Sequence, residues 1–327
     1  MKSFNSICLI ISNLLGSTIG TSLVIQVITG FITFMNFETT SSFDRTDRIT
    51  QSWMIDVIRS GHISYASDLN LLAWLHLFRS IYIGSRKKST WTSGYLELLR
   101  ILVESIFGYS LVDSTLSHSA LSILIHLLRR YPLSFYFPHY LTKIFLTNRF
   151  LLYHFLLPFL IVGLTALHLL ILHETSSRRI RRKDRLETIC FEIFYLLWDY
   201  SFWSLNSWIT LRIPLRGGML DDPTHYLPNI EPLKHSIEHE TPHWYVMFLF
   251  GVVRAWANME DYGLICITLI LSIYLLVYKR SRVILVKAAI VIIFMLFLFI
   301  SPFVLPDLLT NSRIRAFSIL LITIINL

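Results

Sequence analysis

The sequence predicts an all-α integral membrane protein with eight apolar segments, the first four of them forming a helical bundle. Three observations carry that prediction. Uninterrupted apolar runs long enough to cross a hydrocarbon layer of about 30 Å recur along the chain. Only 15% of the 327 residues are charged, where a soluble domain would hold about a quarter. The cations gather in short stretches between the runs, which is how topology is written into a membrane protein.

The apolar segments fall at 7–35, 53–83, 91–112, 149–172, 192–213, 262–278, 283–303 and 313–327. Their apolar residues follow helical spacing and not the ten-residue alternation of a membrane barrel. The first continues directly from Met1 and Lys2, so no cleaved signal is expected. The fifth is interrupted by Asp199, Asn206 and Arg212, and the last is short for a span. Arg86, Lys87 and Lys88 follow the second segment. Arg178, Arg179, Arg181, Arg182, Lys183 and Arg185 follow the fourth, and Lys279, Arg280 and Arg282 the sixth. These basic loops share one face, whereas the long loop 214–243 carries Asp221, Asp222, Glu231, Glu238 and Glu240 on the other. The net charge of +8 is therefore a topology signal and not a nucleic-acid footprint. Cys8, Cys190 and Cys266 are odd in number and scattered, so no disulfide framework is implied. Two regions result: a bundle over 1–175 and a C-terminal membrane region over 176–327 that includes the loop 214–258.

Four histidines lie inside these segments, His62 and His76 on the second, His154 and His168 on the fourth. Each pair is fourteen residues apart, nearly four helical turns, which keeps both side chains on one face about 21 Å apart along the axis. Two such helices facing each other make two slots, one near each membrane surface, each flanked by two imidazoles. Neutral imidazole is a good axial ligand for haem iron, and two per iron give an electron carrier with no open position. A single intramembrane histidine is as well explained by a helix contact; two pairs at one spacing are not. No CxxCH is present, so the haems expected are two non-covalent b-type groups.

The first and third segments repeat the interval with Gly16 and Gly30, and with Gly94 and Gly108. A glycine costs a helix about 1 kcal/mol relative to alanine. Singly, each would be read as a helix-packing point; in register with the histidines they are positions for a haem edge. Arg59, three residues before His62, and Arg79, three after His76, stand where haem propionates need a cation.

Over almost its whole length the chain resembles the cytochrome b subunit of quinol–cytochrome c reductases, the bc1 or complex III family. The resemblance rests on LLGSTIGTSLVIQVITGFITFM in the first segment, LHLFRSIYIGS at 75–85, RFLLYHFLLPF at 149–159 and ALHLLILHETSS at 166–177. LDDPTHYLP at 220–228 is similar to the family's DPDNY loop, and PHWY at 242–245 takes the place of its PEWY motif. The resemblance implies that His62 and His154 hold a low-potential haem near the outer face, and His76 and His168 a high-potential haem near the matrix face. It implies propionate contacts from Arg59 and Arg79, ubiquinone and ubiquinol as substrates, and a mitochondrial inner-membrane location. The implied partners are a Rieske iron–sulfur protein, cytochrome c1 and a second copy of the complex.

Two quinone sites follow from the same resemblance. At the quinone-reducing site, His173 and Asp199, the latter in FEIFYLLWD, match the family's histidine and aspartate. Such a pair can hydrogen-bond the two carbonyls of a quinone and deliver protons to them. At the quinol-oxidising site the chain departs from the family. His243 replaces the motif glutamate beside Trp244 and Tyr245, and the PWG after the third segment is absent, the chain reading GYSLVDSTLSHSA from Gly108. An imidazole can accept a quinol proton, and Glu238 and Glu240 lie close by in sequence as alternatives. The rival reading is a dihaem structural homologue whose quinol-oxidising site has decayed. An unrelated transporter would need polar groups converging on a broken midplane helix.

Overall fold

The computed structural model describes residues 2–36, 53–83, 88–111, 143–174, 185–212, 243–246 and Tyr274. Five helices account for nearly all of them: α1 Lys2–Met35, α2 Trp53–Ile83, α3 Lys88–Ser110, α4 Lys143–Glu174 and α5 Arg185–Arg212. A short 3-10 turn, Trp244–Val246, completes the set. The first four match the first four apolar segments to within a few residues, except that α1 and α4 extend several residues further toward the N-terminus. The fifth runs unbroken through Asp199, Asn206 and Arg212 and begins earlier than hydropathy alone suggested. The segments 262–278, 283–303 and 313–327 lie outside the described residues, apart from Tyr274, so the count of eight spans is left untested.

Helix α1 packs along α2, and α3 along α4; contacts between α2 and α3 and between α1 and α4 join the pairs into a four-helix bundle. Lipid provides no hydrophobic drive between helices, so close packing and interhelical hydrogen bonds must hold the bundle together. Both are visible. Leu69, Leu72, Trp74, Leu77 and Ile81 of α2 and Trp91, Leu98, Ile101 and Leu102 of α3 are all buried. Polar crosslinks run between the same elements. Asn70 of α2 donates to Ser105 of α3 at 2.8 Å, and Thr165 of α4 hydrogen-bonds Glu97 of α3.

Helix α5 docks on the outside of α1 and α2. Asp68, 4% exposed, gathers the three elements by accepting from Ser22 of α1 at 3.3 Å and from Asn206 of α5 at 2.8 Å. Asn206, a break in the hydropathy of α5, is thus the point at which α5 is fastened.

The outward surface is the reverse of a soluble protein's. Leu152, Leu156, Phe159, Leu160, Leu169 and Leu170 of α4 are exposed, as are Val24, Ile28 and Phe31 of α1. Leu14–Met35 and Asn148–Glu174, of 22 and 27 residues, are long and apolar enough to cross a membrane. Pro158 sits inside α4 without ending it, a tolerance typical of membrane helices, whose freed backbone groups find other partners.

Candidate haem sites and quinone-facing residues

The four glycines and four histidines pair one to one. A Cβ built on Gly30 would stand 2.8 Å from Cε1 of His62, and one on Gly108 2.8 Å from Cε1 of His154. On Gly94 it would be 3.0 Å from His168 Cε1, and on Gly16 3.6 Å from His76 Cε1. Any side chain at the first three would press on an imidazole ring; at Gly16 the approach is ordinary van der Waals contact. The pairing also fixes direction. Gly30 with His62 and Gly16 with His76 require α1 and α2 to run antiparallel, and Gly108 with His154 and Gly94 with His168 require the same of α3 and α4.

His62 and His154 face each other across the bundle with ring centroids 6.3 Å apart and planes at 79°. That separation leaves room for one metal ion that the two rings would hold. The surrounding cavity has about 1540 Å³ of open space, part of it continuous with the outside. Its wall includes Arg59, Gly30, Gly108, Glu104, Tyr109 and Tyr245. Arg59, 9% exposed, lies on the level at which the sequence placed a propionate cation. Arg79 is half-buried one turn beyond His76.

Ring tautomers follow from the neighbours. Thr29 Oγ1 lies 2.7 Å from the Ile25 carbonyl and 3.0 Å from His62 Nδ1; when it donates to the carbonyl, it accepts from a ring protonated on Nδ1. Ser93 Oγ likewise lies 3.0 Å from the Thr90 carbonyl and 2.8 Å from His168 Nδ1, an arrangement that suits a ring protonated on Nδ1. His154 Nδ1 stands 2.7 Å from Glu104 Oε1, close although the N–H is not well aligned with that oxygen. A proton held on Nδ1 leaves the lone pair on Nε2, the state a metal-binding imidazole needs. His76 Nδ1 is buried and has no hydrogen-bond partner among the described residues. No group of three or more His, Cys, Asp or Glu side chains is placed to hold a metal ion among the described residues. A haem would be held by two side chains only, and the facing histidines with their glycine cradles fit it.

Beside the His62–His154 level an aromatic cluster closes the bundle. The His243 ring stacks on Tyr245, centroids 5.2 Å apart and planes at 8°, and meets Tyr109 edge-on at 5.2 Å. Trp244 donates its indole N–H to Ser67 Oγ of α2 at 2.7 Å. At the opposite level, Ser17, next to Gly16, donates to Asp199 of α5 at 3.1 Å.

A family model described as cytochrome b/b6/petB matches residues 1–176, just over half of the chain. The chain belongs to the cytochrome b/b6 family. Among solved structures, a chain of a "Hyperthermophilic respiratory Complex III" shares the fold, with a TM-score of 0.70 at 18% identity over 96% of this chain and 89% of that one. The matched region of this cytochrome b ends two residues beyond α4 and holds all four histidine–glycine pairs.

The residues expected from the sequence divide between the two ends of the cytochrome b bundle. His243, Trp244 and Tyr245 come to the His62–His154 end, with Tyr245 in the cavity wall. Glu238 and Glu240 lie outside the described residues. His173, exposed in the last turn of α4, and Asp199 both belong to the His76–His168 end. No hydrogen bond or ion pair joins those two to each other among the described residues. Sequence reasoning passed over Glu104, Thr29, Ser93, Tyr109 and Asp68. An ionisable residue within an apolar segment is itself a signal, and it would have found Glu104 and Asp68.

Proposed function

We propose that the bundle binds two b-type haems, one between His62 and His154 and one between His76 and His168, and that the chain is the electron-transferring core of a quinol–cytochrome c reductase. The observation that carries this reading is the matched set of four histidine–glycine pairs on two levels. When bound, each haem supplies a one-electron carrier with both axial positions filled. The chain's own part is to hold the imidazoles with Nε2 free, to keep side chains away from the haem edges at Gly30, Gly108 and Gly94, and to offset propionate charge with Arg59 and Arg79. At the inner end His173 and Asp199 bind ubiquinone and pass protons to its oxygens. At the outer end His243 accepts a proton from ubiquinol, within a loop that also holds Glu240. The membrane is the mitochondrial inner membrane, and the chain works in a dimeric complex with a Rieske iron–sulfur protein and cytochrome c1, accounting for proton translocation through two quinone sites on opposite faces.

Dithionite-reduced minus oxidised spectra of the purified complex test the reading. Two b-type haems per chain are expected, and a haem-free but folded chain overturns it. One observation favours a second reading, a dihaem structural homologue. His243 is only 5% exposed and its ring packs on Tyr245 and Tyr109, a packing role that needs no proton chemistry. Quinol–cytochrome c turnover of the wild-type complex separates the two: turnover assigns the chain to the redox core, and its absence to the structural homologue. In an active complex, a collapse in His243→Phe assigns His243 to proton transfer, whereas unchanged turnover assigns it to packing.

A further inference from the structure

The two histidine levels are not equivalent, and the difference lies behind the rings. At the His62–His154 level the Nδ1 neighbours are a threonine hydroxyl and a carboxylate, Thr29 and Glu104. At the His76–His168 level they are a serine hydroxyl, Ser93, for His168, and none among the described residues for His76. Glu104 comes from α3, four residues before Gly108, so the glycine that admits the His154 ring and the carboxylate behind it share one helix face. Its side chain is 14% exposed, in a cavity walled by Leu23, Val27, Leu69 and Ile101. In so apolar a setting a carboxylate acts on its neighbour with little screening.

We infer that Glu104 is a positioning residue that acts through His154 to make the haem on that level the more reducing of the two. The inference rests on the haem reading above. A carboxylate behind an axial imidazole raises its basicity and so its donation to the ferric ion. Charge around a haem is a lever on its reduction potential, and a negative charge on Glu104 favours the oxidised state. The carboxylate stands 2.7 Å from His154 Nδ1. The other level, with a weaker neighbour behind His168 and no partner among the described residues behind His76, is then the electron's downhill destination. The slope for electron transfer across the membrane is therefore built partly into α3.

The test is a redox titration of the assembled, haem-loaded complex by difference spectroscopy. Glu104→Gln keeps an oxygen acceptor but removes the charge. The reduction equilibrium of the outer haem should shift about tenfold toward the reduced form, about 59 mV for one electron, with the inner haem unmoved. Glu104→Asp should restore part of the shift. Two intact haems with both midpoints unchanged in Glu104→Gln would overturn the inference and leave the haem reading standing; a folded complex without haem would overturn both. Should Glu104→Gln not assemble, the wild-type complex still decides. The near-infrared charge-transfer band of its ferric outer haem, located by subtracting the His154→Leu spectrum, should lie toward the imidazolate side of the inner one. Coincident bands would sink the proposal.

Discussion

Helices α3 and α4 are packed together along their lengths and could hardly differ more in composition. Within the span, α4 is apolar on almost every side and leaves Leu156, Phe159, Leu167 and Leu170 exposed. Helix α3 carries Glu97, Arg100 and Glu104 in its middle turns and buries Trp91, Ser93, Tyr95, Glu97 and Leu98. In water the apolar helix would be the core and the charged one the surface. Here the order is inverted, because lipid is the outer solvent and polar groups must find partners inside protein. Hydrophobicity along this chain therefore reports how much lipid a helix meets, and polarity reports how near it lies to the working centre.

The sharpest way to strain that contrast is to remove one of the few polar groups α4 turns inward. His154→Leu should abolish the outer haem and leave the inner one, halving the b-type absorbance in reduced spectra. Loss of the inner haem instead would show that the two levels are interchanged. Next in size are the glycines. Gly108→Ala puts a methyl 2.8 Å from the His154 ring and should cut outer-haem occupancy several-fold. Gly16→Ala, whose methyl would sit in ordinary contact 3.6 Å from the His76 ring, should leave inner-haem content at the wild-type level. Asp199→Asn should slow re-oxidation of the inner haem by quinone while leaving quinol-driven reduction of the outer haem intact, as followed by stopped-flow absorbance.

Smaller effects define the lipid side of the comparison. Asp68→Leu strands the amide of Asn206 and the hydroxyl of Ser22. It should cost about 1–3 kcal/mol, the usual penalty for unsatisfied buried donors, seen as a lower unfolding temperature in detergent. Leu170→Ala, on a side chain 61% exposed to what would be lipid, should change stability by no more than about 0.5 kcal/mol. A larger loss there would mean that another element covers this face of α4.

The sequence made the two-level bundle legible because register survives translation into structure. A fourteen-residue interval fixes both the face and the height of a side chain on a helix, so His62, His76, His154 and His168 and their glycines could be placed before any fold was known. The neighbours behind the rings could not. Thr29, Ser93 and Glu104 reach the imidazoles only because of how α1 and α3 are rotated about their axes, and no spacing within one segment encodes that rotation. Asn206 shows the same limit from the other side. As a polar break it weakened α5 as a span, and only its bond to Asp68 shows that it is the fastening. His173 and Asp199 fall at one end of the bundle, on α4 and α5, with no hydrogen bond between them among the described residues.

The charges of α3 also set a timetable for synthesis. Each ionised residue at the centre of a span costs about 2.5–3.5 kcal/mol to release from the insertion machinery into lipid, while each leucine or isoleucine returns only about 0.3–0.6. With Glu97, Arg100 and Glu104 in its middle, α3 is costly to release into lipid alone. Its partners Thr165 and His154 both belong to α4, whose last residue is Glu174, well downstream of Ser110. At about 5–20 residues per second, α3 waits for several seconds before the helix that shelters its charges has been made. Glu104, behind the His154 ring, thus also favours insertion of α3 and α4 as one hairpin.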